Sequence, residues 1–178
     1  MLERFVAAAG LLLFACYASL AQVPKDFSST YDKFKDLTTI SRKGSIIRAT
    51  KGSKESRVAA IYFNPVLSHQ GQTLQRNIQA FTLVVRSVSM LCRTWCFHGN
   101  SNLIVLADGE RLHLGDGFWE GSAGSTTEIM SYTISRTDLE KLAAAKDIEF
   151  QLGNFEGKFA ANDYNAVKTI LELGTVTK

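Results

Sequence analysis

The chain has only two prolines in 178 residues, Pro24 and Pro65. That is too few for a proline-rich linker, and no low-complexity run or internal repeat divides the sequence. Cysteine and histidine are equally sparse, with three of each. Their spacing matches neither the paired C-x-x-C nor the H-x-x-x-H arrangement of common zinc sites. Regular β-α-β alternation is missing, which argues against a doubly wound nucleotide-binding fold. No catalytic, metal-binding, nucleotide-binding or nucleic-acid-binding motif stands out. Long apolar runs are also absent, with one exception at the amino terminus.

That exception is residues 5–20, FVAAAGLLLFACYASL, an uncharged run followed by Ala21, Gln22 and Val23 and then by the polar opening Pro24-Lys25-Asp26. A short apolar core ending in small residues is the pattern of a secretory signal. Ser19 and Ala21 occupy the two positions that must be small, so cleavage is expected after Ala21. A membrane-spanning helix needs roughly 20 apolar residues; this run is shorter and has no basic stop-transfer cluster behind it. The expectation is a signal peptide over 1–21 and a mature chain over 22–178 that is exported, periplasmic or secreted, without a transmembrane helix. Cys16 opens a second route. Leu13-Phe14-Ala15-Cys16 is similar to a lipoprotein cleavage box, and lipidation there would tether the product to a membrane, although one acyl chain alone holds only marginally.

The mature chain has the composition of an ordinary globular protein and the length of one domain. Its charge is uneven. Residues 22–100 carry 12 Lys and Arg against 4 Asp and Glu, whereas residues 101–178 carry 7 against 12. Two halves of opposite sign attract each other within one domain; a basic surface facing an acidic partner is the alternative. The basic residues, among them Arg42, Lys43, Arg48, Lys51, Lys54 and Arg57, are dispersed and lack interleaved aromatics. Nucleic acid is therefore not an expected partner.

Periodicity is clearest in the carboxyl-terminal half. Residues 127–135 alternate, placing Met130, Tyr132 and Ile134 on one face of a half-buried strand. Thr137 and Glu140 have the spacing of a capping box, opening a helix over about 136–146. Ile148, Phe150 and Leu152 alternate next, and Gly153-Asn154 is expected to supply the positive φ angles of a hairpin turn. A second helix is expected over about 162–173, with Asn162 as its cap, Tyr164, Val167, Ile170 and Leu171 on one face, and Gly174 past its end. Upstream, residues 103–106 and 111–114 flank the turn signal Asp108-Gly109. Residues 46–47, 58–63 and 78–88 read as strands. Residues 27–38 are ambiguous: Phe27, Tyr31 and Phe34 align on a helix, while Thr38, Thr39 and Ile40 favour a strand. The class is α+β, mainly an antiparallel sheet or sandwich with two helices in the carboxyl-terminal half.

Few residues carry candidate chemistry. In an oxidising compartment Cys92 and Cys96 form a candidate disulfide. On a flat strand they would sit about 13 Å apart, beyond the roughly 7 Å limit for a bridge, so pairing requires a turn at Arg93-Thr94-Trp95. The alternative is a pair of reduced, buried thiols. Cys92, Cys96, His98 and His113 would together supply four zinc ligands only if their strands were neighbours. Asp108, Asp116, Glu120 and Glu128 are candidates for a carboxylate pair, although turn and surface roles explain them more simply. The stretch 121–125, GSAGS, lacks the central serine of a hydrolase elbow. Phe118 and Trp119 lie in a glycine-punctuated stretch, from Gly115 to Gly124, and form a candidate partner-contact loop.

Residues 103–115, with the element LIVLADGERLHLG, and residues 128–159, with the element SRTDLEKLAAAKDIEFQLGNFEGKF, resemble a group of small exported bacterial proteins of unknown function. The resemblance lies in turns and caps and implies an exported bacterial domain without implying an activity or a functional residue. The resulting expectation is a non-enzymatic exported domain that serves as a cell-envelope binding or accessory module for an unknown protein or ligand, with no cofactor or metal. The alternatives are a periplasmic hydrolase with an unrecognised site and a lipid-anchored structural lipoprotein.

Overall fold

A computed structural model describes residues 23–43, 58–74, 77–89, 95–121, 126–159 and 161–175. The expected signal segment, Cys16, Cys92 and the short strand expected at 46–47 lie outside the described residues. The architecture is α+β, with two antiparallel sheets and two helices in the carboxyl-terminal half. The first sheet has the order β1-β2-β3-β4-β8-β7, formed by β1 (Phe27–Asp32), β2 (Leu37–Arg42), β3 (Val58–Gln70), β4 (Ala80–Ser89), β8 (Thr127–Ser135) and β7 (Phe118–Gly121). The second has the order β10-β9-β5-β6, formed by β10 (Phe155–Lys158), β9 (Ile148–Leu152), β5 (Asn102–Ala107) and β6 (Glu110–Asp116).

The ambiguity over residues 27–38 resolves as a hairpin. The three aromatics do not share a helical face, because Phe27 is buried in the core while Phe34 stands in the turn between β1 and β2. β8 alternates as its sequence dictates, with Met130, Tyr132 and Ile134 buried. Asp108 and Gly109 both adopt positive φ, 49° and 85°, as a two-residue hairpin turn requires. In the β9–β10 turn Gly153 alone does so, at φ 54°. A Cβ there would also lie 2.7 Å from the Asn100 carbonyl oxygen, so glycine is required twice over.

Phe63 of β3 joins the two sheets. Its ring centroid lies 4.6 Å from Phe150 of β9 and 4.8 Å from Phe159, inside one apolar cluster that spans both sheets and both helices. The helices are α1 (Arg136–Ala144) and α2 (Ala161–Leu173). They pack on each other and against strands of the first sheet, burying Leu139, Leu142 and Ala143 from one and Ala166, Val167, Ile170 and Leu173 from the other. Arg136 ties their ends together, donating from Nη1 to the carbonyls of Ile78 and Gly174, each at 3.1 Å. Gly174 leaves room for Phe81, whose ring would lie 2.8 Å from a Cβ at that position.

Both caps differ from the sequence reading. The amino-terminal cap of α1 is Ser135, not Thr137: Ser135 Oγ accepts from the Asp138 N–H at 3.1 Å and donates to Asp138 Oδ2 at 2.7 Å. The strand simply continues to the cap, so β8 hands over to α1 with no intervening loop, while Thr137 is already helical and exposed. Likewise α2 begins at Ala161, which places Asn162 inside its first turn. Ser135→Ala should therefore lower stability by about 0.5–2 kcal/mol, and Thr137→Ala should stay within about 0.5 kcal/mol of the parent. Urea titration of the two variants checks the assignment; a larger loss for Thr137→Ala would reverse it.

Candidate functional site

Strand β6 passes through Gly117 directly into β7, carrying the chain from the rim of the second sheet to the rim of the first. Gly117 is needed there because a Cβ would sit 2.6 Å from Tyr132 Cζ. The Tyr132 hydroxyl donates to the Ser101 carbonyl at 2.6 Å, and burial, aided by the charge of Asp116, pushes its pKa well above the usual phenol value.

The stretch expected as a flexible loop is thus a strand up to Gly121, and residues 122–125 lie outside the described residues. Successive strand side chains point to opposite faces, and this separates the two aromatics. Trp119 pairs in register with the buried Met130 and turns inward, whereas Phe118 pairs with Ser131 on the outer face. Phe118 is 69% exposed. Trp119 is half-buried and packs edge-on against His98 at 4.5 Å and Trp95 at 5.2 Å between centroids.

Beneath these rings lies Glu128, only 1% exposed. Its Oε2 accepts from the Cys96 N–H at 2.9 Å, and its Oε1 accepts from the Phe97 N–H at 2.9 Å and from Trp119 Nε1–H at 3.1 Å. One carboxylate therefore fastens the 95–97 segment and the β7 indole to β8. Ser87, directly opposite on β4, is fully buried, and its Oγ has no hydrogen-bond partner among the described residues. Sequence reasoning placed Glu128 among turn and surface residues. Its parity with Met130 and Tyr132 was the available signal, since all three share one face of β8.

The other candidate carboxylates do not converge. Glu120 pairs with Ile129 and so faces away from Glu128. Asp116 and Asp108 lie at opposite ends of the β5–β6 hairpin. Asp108 Oδ1 instead accepts from the N–H groups of Lys146 and Asp147, at 2.9 and 2.8 Å, and shapes the turn after α1. Among the described residues no three His, Cys, Asp or Glu side chains gather as metal ligands; His113 is exposed on β6 while His98 stacks on Trp119. The bridge expected between Cys92 and Cys96 involves Cys92, which lies outside the described residues.

A shallow groove of about 190 Å³ on the second sheet is lined by Ile104, Leu106, Arg111, Glu149, Gln151 and Glu156. Glu149 is already ion-paired to Lys158 there. Among the described residues no helix is long and apolar enough to cross a membrane. Compared with known proteins, the chain matches no family model, no curated protein and no solved structure.

Proposed function

We propose that the protein is an exported, non-enzymatic module of the cell envelope that binds a protein partner along β7, with Phe118 as the anchor. The observation that carries this reading is an exposed phenylalanine on the rim strand of a sheet, 69% accessible, backed by the Trp119 indole and the 96–97 backbone that Glu128 holds in place. Among the described residues β7 is the last strand of its sheet. Such a rim can accept an added strand, with main-chain hydrogen bonds supplying affinity and a side-chain anchor supplying selectivity. The apolar run at 5–20, with Ser19 and Ala21 before Gln22, and the resemblance of 103–115 and 128–159 to exported bacterial proteins support export. In that compartment a Cys92–Cys96 bridge would further fix the backbone that Glu128 holds at Cys96.

The test is a photo-crosslinking amino acid introduced in cells at position 118, with exposed Lys168 as the comparison site. The expected result is one discrete protein adduct from position 118 and none from 168. The same adducts at both sites, or none at 118, would contradict the proposal.

A further inference from the structure

We propose that the tip of the β1–β2 hairpin is a second contact surface, which docks the domain on an anionic phospholipid surface. The tip reads Asp32-Lys33-Phe34-Lys35-Asp36, and Phe34 is 89% exposed, more than Phe118 or Tyr31. Its aromatic ring is not needed to build the turn. Asp32 Oδ1 closes it by accepting from the N–H groups of Phe34 and Lys35 at 2.9 and 3.3 Å. Asp36 takes the positive φ, 49°, and accepts from the Tyr31 hydroxyl at 2.8 Å. Both carboxylates are thus engaged within the hairpin, while Lys33 and Lys35 are exposed on either side of the ring and Lys33 Nζ lies 5.1 Å from its centroid.

An apolar ring between two ammonium groups fits the membrane interface, where the ring enters the acyl boundary and the cations meet lipid phosphates. Residues 23–43, which include the whole hairpin, carry 5 basic against 3 acidic side chains, so their net charge favours the same occupant. The hairpin lies on the opposite rim of the first sheet from β7, so membrane docking would leave the partner-binding rim free.

The chain from Gln22 holds every described residue of the core cluster and is the form to test, by cosedimentation with phosphatidylglycerol or phosphatidylcholine vesicles. Binding is expected to the first and to be much weaker to the second. Phe34→Ser should weaken it at least about tenfold. Lys33→Gln and Lys35→Gln should each weaken it about fivefold, with Lys168→Gln unchanged. All four sites are exposed, so thermal unfolding of the variants should match the parent. Equal binding to the two vesicle types, or undiminished binding by Phe34→Ser, would overturn the proposal. So would self-association without lipid that Phe34→Ser abolishes, since the occupant would then be a second copy of the chain.

Discussion

Glu128→Ala should destabilise the protein by about 2–5 kcal/mol, because it strands three hydrogen-bond donors and an unsatisfied buried donor costs about 1–3 kcal/mol. The Phe97 N–H is buried and those of Cys96 and Trp119 are half-buried, so water can recover part of the loss at the last two only. Glu128→Gln should fall between the variant and the parent. Its amide oxygen still accepts, but its NH2 group must face another donor. Ser87→Ala is the contrasting change at the facing position on β4. Its hydroxyl has no partner among the described residues, so stability should move by no more than about 0.5 kcal/mol. Denaturant unfolding of the three variants checks the order. If Glu128→Ala and Ser87→Ala behave alike, the carboxylate does not hold the segment.

Phe63→Ala should cost about 3–5 kcal/mol, the usual range for removing a buried phenylalanine. The ring is 1% exposed and touches Phe150 and Phe159, where the sheets meet. The loss should appear as one cooperative transition at lower denaturant, since a single apolar cluster spans both sheets. Two separate transitions would mean that the sheets fold independently.

Much of this architecture was legible in the sequence where periodicity was regular. The alternation from Thr127 to Ser135, the Asp108-Gly109 turn and the apolar faces of both helices appear at the expected places. The short strand β7 did not announce itself. Glycines at 115, 117, 121 and 124 argued for a loop, and only the contacts that Gly117 makes possible beside Tyr132 show why glycine serves a strand there. Treating Phe118 and Trp119 as one exposed pair failed for the same reason, since a strand sends neighbours to opposite faces.

Glu128 was missed because charge outweighed parity in reading β8. A carboxylate is rarely buried without partners, and its partners here come from residues 96, 97 and 119. None of these is near in sequence. The cap of α1 was misplaced by two residues because Ser135 and Thr137 both have capping chemistry. Which one is used depends on where β8 stops.

The central physical claim is that Glu128 holds the 95–97 segment and the Trp119 indole as a fixed support behind Phe118. Residue-resolved hydrogen exchange tests it most directly. In the parent protein the Cys96 and Phe97 amides and the Trp119 indole N–H should exchange slowly. In Glu128→Gln, studied where the protein remains folded, all three should exchange faster while the Val85 and Met130 amides of the neighbouring strands keep their protection. Fast exchange at Cys96 and Phe97 in the parent, at the rate of unprotected amides, would contradict it.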